Sequence, residues 1–142
     1  MIDLNQLSKI VERKSEIEQE EKLRREKERK EKYEKEYQDA IFNLEERLVT
    51  AATDGKRKLC VAHFSAFSGY NISDELHKKR GNHGNYYVAW NKSIFESDVI
   101  ENMSGNLKRV YDYLKENNLN PKIDYWTDGG GQDEGFELVV VW

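Results

Sequence analysis

Four side chains in this sequence are of the types that bind zinc, and they are Cys60, His63, His77 and His83. A structural zinc ion needs four nitrogen or sulfur ligands in a tetrahedral array. Residues 57–66 read as a β-strand, however, and regular alternation along a strand would direct Cys60 and His63 to opposite faces. We therefore expect a buried thiol and ordinary surface histidines, with no metal and no cofactor.

A second group of residues, in segment 77–87, combines cations, glycines and aromatic rings. Phosphate groups are held by cations and closely approaching backbone, and nucleobases stack on aromatic faces. The pattern indicates either a flexible solubilising loop or a site for a partner or an anion, formed by Lys78, Lys79, Arg80, His83, Tyr86 and Tyr87. The chain carries 27 acidic and 23 basic residues, a net charge of −4, so nucleic acid is an alternative partner and not the favoured one.

The tip of a predicted hairpin carries carboxylates beside three consecutive glycines. Carboxylates on a glycine-bearing loop can bind calcium, but residues 128–134 lack the ligand spacing of an EF-hand. A paired-carboxylate acid–base site needs a pocket that shifts one pKa, and a hairpin tip is a poor place for one. No catalytic residue is predicted here. The pattern indicates either a solvated turn or an acidic surface for a basic partner, formed by Asp128, Asp133 and Glu134.

The first predicted element along the chain is a charged arm. The segment from Glu16 to Glu36 is almost all charged, mixes both signs and contains neither Gly nor Pro. Such a segment cannot build a core, but Glu placed four residues before Lys or Arg stabilises a solvated helix. We predict one long helix from about residue 4 to residue 53, and residues 1–36 as a charged helical arm.

The first turns of this arm carry an apolar stripe. Leu4, Leu7 and Val11 are spaced three and four residues apart, which places them on one helix face. The stripe predicts association, either as a coiled coil with a second copy of the chain or in a groove of a partner protein. The alternative is a single solvated helix, because the heptad pattern is broken between Val11 and Tyr37.

Residues 37–142 have the composition of a small α+β domain. Strands are predicted at 57–66, 85–91, 122–127 and 136–142, and an amphipathic helix at 107–114. With residues 37–53 as the packed end of the long helix, the order is α-β-β-α-β-β. We expect a roughly four-stranded, mainly antiparallel sheet, covered on one face by helix.

Cysteine content and hydropathy indicate the cellular compartment in which the protein is expected. A single cysteine excludes a disulfide within the chain and favours a reducing setting. No apolar run approaches the roughly 18 residues that span a bilayer, and the N-terminus lacks the apolar stretch of a signal peptide. We expect a soluble, cytoplasmic protein with no membrane contact.

The second half of the chain resembles small α+β accessory proteins of tailed bacteriophages. The resemblance rests on the helix end Ala51-Ala52-Thr53-Asp54-Gly55 before a strand, and on an Asn-terminated helix followed by Pro121 and a hairpin that closes on Trp142. It covers residues 44–60 and 107–142 and transfers no catalytic residue. It implies a viral or mobile-element accessory protein, which would act in the host cytoplasm.

These observations favour a non-enzymatic protein and leave enzymatic activity open. The leading hypothesis is a phage or mobile-element accessory protein that binds and blocks a host protein or a nucleic-acid-handling complex. One alternative is a virion or assembly component that forms homo-oligomers through the N-terminal helix. Another is a small-ligand or nucleic-acid binder that uses the basic and aromatic residues of segment 77–87.

Overall fold

A computed structural model of the chain describes residues 1–66, 71–80, 94–129 and 133–142. The chain divides into two compact units, Met1–Glu36 and Tyr37–Trp142. The described residues of the first unit are helical or lie just before the helix, and those of the second contain both helices and a sheet.

The helical unit belongs to helix α1, which spans Leu4–Ile41. The Asp3 carboxylate accepts a hydrogen bond of 2.9 Å from the backbone amide of Asn5, as a capping residue does at a helix N-terminus. All residues from Met1 to Arg25 are exposed. This part of the helix is therefore held by backbone hydrogen bonds and helix propensity rather than by a core.

The predicted helix over residues 4–53 is present, with a sharp turn near its end. After α1, a second helix, α2, spans Leu44–Thr53. Between the two, Asn43 has φ 48° and ψ 35°, a left-handed conformation that asparagine tolerates better than most residues. On the α2 side of the turn, Leu44 and Ala51 are buried.

Three antiparallel strands form the sheet in the described part of the chain: β1 Lys58–Ser65, β2 Pro121–Thr127 and β3 Glu134–Val141. Their spatial order is β1-β3-β2, so the last strand is central, as its apolar run predicted. The predicted α+β class with a mainly antiparallel sheet is confirmed. The predicted count of about four strands included residues 85–91, which lie outside the described residues.

Three shorter helices lie in the described part of the chain: α3 Asp74–Arg80, α4 Glu96–Asn102 and α5 Gly105–Glu116. Helix α4 begins where the Asp98 carboxylate accepts a hydrogen bond of 2.8 Å from the Phe95 amide, an interaction that stabilises a helix N-terminus. Helix α5 contains the amphipathic helix predicted over 107–114.

The core lies between one face of the sheet and the helices. The buried apolar residues of this cluster are Ala40, Leu44, Val61, Phe64, Ala66, Ile72, Leu76, Ile94, Val99, Leu107, Val110, Leu114, Ile123, Phe136, Leu138 and Val140. Helix α5 and residues 37–53 contribute to it, so the prediction that helix covers one face of the sheet is confirmed. Burial of this kind is the main favourable term in folding.

A β-bulge in β1 changes which side chains share a face. Cys60 lies opposite Val139 and Ala62 lies opposite Leu138, so Val61 is an extra residue on its strand. Side-chain alternation is therefore offset by one position after Cys60. The expectation that Cys60 and His63 lie on opposite faces is wrong, because it assumed a strand without a bulge.

Arg47 of α2 binds the backbone at this bulge. One guanidinium nitrogen donates to the Val61 carbonyl oxygen at 2.7 Å, and the other donates to the Ala40 carbonyl oxygen at 2.9 Å. Ala40 lies in the last turn of α1, where carbonyl groups lack helical partners. One side chain thus joins the end of α1, α2 and the bulged strand.

Among the described residues, no helix is both long enough and apolar enough to cross a membrane.

Candidate functional site

The face of the sheet turned away from the core is termed the open face. Residues directly opposite each other in antiparallel strands share a face, so the register identifies its members. They are Lys58, Cys60, His63 and Ser65 on β1, Gly135, Glu137, Val139 and Val141 on β3, and Lys122, Asp124 and Trp126 on β2. The open face divides along the strands into a cationic half and an acidic, aromatic half.

The cationic half contains a groove with a volume of about 740 Å³. We term it the cationic groove; its lining residues are Lys56, Arg57, Lys58, Leu59, Cys60, Glu137, Val139 and Val141. Consecutive cations precede and begin β1, and the two valines belong to the central strand. The groove therefore combines an apolar floor with a positively charged rim.

Cys60 lies in this groove, where it is exposed. The expectation of a buried thiol is therefore wrong, because the side chain lies on the open face and not on the core face of the sheet. Its thiol donates to Oε2 of Glu137 at 3.5 Å. Partial desolvation, followed by the nearby Glu137 carboxylate, raises the pKa of Cys60 to about 11. Because the thiolate is the nucleophilic form, the side chain is a poor nucleophile at neutral pH.

The other half of the open face carries two stacked rings. The rings of His63 and Trp126 have centroids 4.3 Å apart and planes within 6° of parallel. They come from the two outer strands of the described sheet, and the residue opposite Trp126 on the central strand is Gly135. A Cβ atom at Gly135 would collide with the carbonyl oxygen of Phe64, so the close approach of β1 and β3 requires glycine there.

The acidic residues predicted as a partner site lie together at the hairpin, where they accept internal hydrogen bonds. An oxygen of Asp128 accepts from the Asp133 amide at 3.0 Å, and an oxygen of Asp133 accepts from the Ser65 hydroxyl at 2.7 Å. Glu134 is only 4% exposed and accepts from the Tyr125 hydroxyl at 2.7 Å. The structure thus gives these carboxylates a role within the fold, and their role in partner binding stays a prediction.

Tyr125 shows the electrostatic consequence of this arrangement. Burial, then its hydrogen bond to Glu134 and the charge of that carboxylate, raise the pKa of Tyr125 to about 12. The phenol is therefore protonated at neutral pH and remains a hydrogen-bond donor.

Of the predicted basic and aromatic site, the structure describes the side chain of Lys78. It is exposed, and its Nζ lies 3.4 Å from a Glu75 carboxylate oxygen on α3. Lys79 and Arg80 belong to the same helix, but their side chains lie outside the description, as do residues His83, Tyr86 and Tyr87 entirely. Whether these six residues form one surface stays a prediction.

The residues predicted for helix association are all exposed within the helical unit. Leu4, Leu7 and Val11 have exposed fractions of 73%, 48% and 68%. Ile10 and Ile17, which flank or extend this stripe, are exposed as well. The unit therefore presents apolar surface that its own described residues do not cover.

The sequence did not predict that the residues of the cationic groove form one site. The run Lys56-Arg57-Lys58 was visible, but only the strand register shows that it lies beside Val139 and Val141.

In the described part of the chain, no group of three His, Cys, Asp or Glu side chains is arranged to hold a metal ion.

Comparisons with protein-family models, with curated proteins and with solved structures find no match to this chain. Function is therefore inferred from the side chains and surfaces described above.

Proposed function

We propose that this protein is non-enzymatic and acts by binding another protein through the apolar side chains of its helical unit. The observation that carries the proposal is the exposure of every aliphatic and methionine side chain in residues 1–36, at 46% or more. These residues are Met1, Ile2, Leu4, Leu7, Ile10, Val11, Ile17 and Leu23.

Removing such side chains from water is the energetic reason for binding. Burying one Leu, Ile or Val side chain contributes roughly 1.5–3 kcal/mol relative to full exposure, before the costs of association are subtracted. Leu4, Leu7 and Val11 lie on one helix face, and helices with such a face commonly insert it into a groove of a partner.

Two features of the second unit support the non-enzymatic part of the proposal. The Cys60 thiol is protonated at neutral pH because its pKa is raised to about 11. The hairpin carboxylates of Asp133 and Glu134 accept hydrogen bonds from neighbouring side chains. Nucleophilic catalysis requires an activated thiolate and acid–base catalysis an available carboxyl group, and neither description fits these side chains.

Two finer proposals are that the chain is related to phage accessory proteins and that it blocks a host complex. No matching relative supports either of them. The binding proposal does not depend on either.

The test compares two charge-matched variants of the full chain. Leu7→Glu with Val11→Glu places charge on the apolar stripe, whereas Asn5→Glu with Gln6→Glu places the same charge on the opposite side of the helix. Each is immobilised, and partners captured from a cell extract are identified and quantified. We expect the wild type and the control to retain one partner at equal stoichiometry and the stripe variant to lose it. Retention by all three, or loss by both variants, would overturn the proposal.

Homo-oligomerisation through α1 is the second candidate, and the order of charges along α1 favours it. Residues 16–21 contain four Glu and no basic residue, whereas residues 22–30 contain six basic residues and two Glu. An antiparallel pair of helices sets these blocks against each other, whereas a parallel pair in register opposes like charges.

Light scattering on a sizing column tests this second candidate directly. It predicts a defined multiple of 16.8 kDa that dissociates as salt rises, because exposed ion pairs are screened. A mass of one chain at every protein concentration would reject it and leave the first candidate in place.

A further inference from the structure

The cationic groove combines positively charged side chains with an apolar floor, and no described residue forms an ion pair with these cations or covers the floor. In the sheet register, Lys58 lies opposite Val141 and Lys122 lies opposite Val139. The two valines of the central strand are therefore flanked by a lysine from each neighbouring strand. Lys56, Arg57 and Lys58 line the groove, and Lys122 lies on the same face of the sheet beside Val139.

These cations make no ion pair with any residue in the described ranges 1–66, 71–80, 94–129 and 133–142. Glu137 also lines the groove, and its carboxylate accepts a hydrogen bond from the Cys60 thiol. A ligand that brings negative charge to the rim would gain Coulomb energy, and aliphatic groups on the floor would be removed from water.

We propose that the cationic groove binds a short acidic segment of a partner protein that also carries aliphatic side chains. The site belongs to the second unit and is independent of the contact proposed for the helical unit. The carboxylates of the segment lie against Lys58, Lys122 and the rim cations, and its aliphatic side chains cover Val139 and Val141. Electrostatic complementarity sets the orientation and the rate of capture, and the apolar contact supplies affinity.

A nucleic acid fits this groove less well than an acidic peptide does. Among the described residues that line the groove none is aromatic, so its described floor offers aliphatic side chains and no ring for a base to stack on. Asp124 and Glu137 lie on the same face directly beyond the valines, where they would repel a continuing phosphate backbone. A peptide can place neutral residues there, whereas a nucleic-acid strand carries a charge at every step.

Three fluorescent peptides test the proposal with the full chain, read by fluorescence anisotropy. The probe is Glu-Glu-Leu-Glu-Glu-Leu-Glu-Glu, and the two controls replace every Leu by Ser or every Glu by Lys. We expect saturable binding of the probe, binding weakened about tenfold or more by loss of the leucines, and no binding of the lysine peptide. Equal binding of the probe and the serine control would overturn the apolar part of the proposal, and no saturable binding of the probe would overturn all of it.

Two charge-matched variants locate the site. Lys58→Glu with Lys122→Glu reverses the charges beside the valines, and Lys27→Glu with Lys115→Glu makes the same change in net charge at other exposed positions. We expect the first pair to weaken probe binding about tenfold or more and the second to change it less than about twofold. Circular dichroism establishes that both variants are folded. Equal effects of the two pairs would show that binding follows net charge and would overturn the assignment to the groove.

Cys60 supplies an independent readout, because it is the single cysteine of the chain and lines the groove. Alkylation of Cys60 by a small maleimide should slow about fivefold or more at a saturating probe concentration. Unchanged alkylation at saturation would place the probe elsewhere and overturn the proposal. Tighter protection by a single-stranded oligothymidylate than by the peptide would assign the groove to nucleic acid instead.

Discussion

The two units of this chain are stable for different physical reasons. In Tyr37–Trp142, a cluster of apolar side chains is buried between a sheet and helices. In Met1–Glu36, all large aliphatic side chains are exposed, and the helix rests on local hydrogen bonds and on residues of high helix propensity. Stability therefore comes from long-range contacts in the second unit and from short-range ones in the helical unit. Mutations should therefore have very unequal effects in the two.

The largest expected loss of unfolding free energy is at Gly135, where strands β1 and β3 approach each other closely. A Cβ at Gly135 collides with the Phe64 carbonyl oxygen, and backbone atoms of two paired strands cannot move apart without breaking the ladder. We expect Gly135→Ala to cost about 3 kcal/mol or more of unfolding free energy, measured by urea denaturation followed through tryptophan fluorescence.

Gly55→Ala is the matched control. Gly55 has φ +81° and open space around its Cβ position, so this change costs only about 1 kcal/mol of conformational strain. Similar losses for the two variants would mean that the crowding at Gly135 does not determine its identity.

A pair of leucine truncations tests the comparison between units directly. Leu107 is fully buried in α5, whereas Leu7 is 48% exposed in the helical unit. We expect Leu107→Ala to lower the unfolding free energy of the second unit by about 2–5 kcal/mol. Leu7→Ala should change it by less than about 0.5 kcal/mol. A large effect of Leu7→Ala would show that the helical unit is buried against something in solution, and its dependence on protein concentration would identify a second copy.

Arg47 tests whether a single side chain stabilises the bulged strand. Arg47→Ala leaves the carbonyl oxygens of Ala40 and Val61 without these donors, and we expect a loss of about 1.5–3 kcal/mol. The control is Arg24→Ala, which removes an ion pair with Glu28 at 3.9 Å between side chains that are both 67% exposed. That change should cost less than about 0.5 kcal/mol. Thermal unfolding of both variants measures the difference, and equal losses would contradict the role given to Arg47.

The smallest expected effect concerns the pH dependence of Cys60. Its folded-state pKa, about 11, lies above the ordinary value of 9.0, so the thiol favours the folded state at low pH. This contribution is complete below about pH 9 and is lost as the pH rises towards 11.

Removing the neighbouring carboxylate sharpens this prediction. In Glu137→Gln the pKa of Cys60 should fall, because a charge that opposes the thiolate is gone. The rate of alkylation by iodoacetamide, measured against pH, should then rise at lower pH than in the wild type. Glu45→Gln, on α2, serves as the control and should leave the profile unchanged. Coincident profiles for all three proteins would contradict the proposed influence of Glu137.

Much of the fold could be predicted from the sequence because its signals are local. The amphipathic spacing of Leu107, Val110 and Leu114 corresponds to helix α5, and the apolar run of residues 136–142 to the central strand. Gly129, the first glycine after Asp128, lies between the antiparallel strands β2 and β3 and has φ +81°. Each of these patterns depends on the geometry of only a few consecutive residues.

The candidate site could be predicted less well, and Glu134 shows why. At an acidic hairpin tip it was expected either to be solvated or to face a partner, yet it is 4% exposed and accepts a hydrogen bond from Tyr125. Charge and hairpin position predict solvent exposure for a carboxylate. Only the fold shows that a phenol donor is placed to satisfy it, which makes its burial tolerable.

The charged helix and the α+β class could be predicted from the sequence alone. Helix propensity, hydrophobic period and turn residues act over a few positions and so can be read without knowing what lies opposite. Which side chains share the open face, by contrast, depends on tertiary contacts. The bulge at Val61 places Cys60 and His63 on one side, and pairing of β1 with β3 brings Cys60 to Glu137, 77 positions away in the chain. The physical reason is that strand register is set by contacts between distant segments, and one inserted residue reverses the alternation of every side chain beyond it.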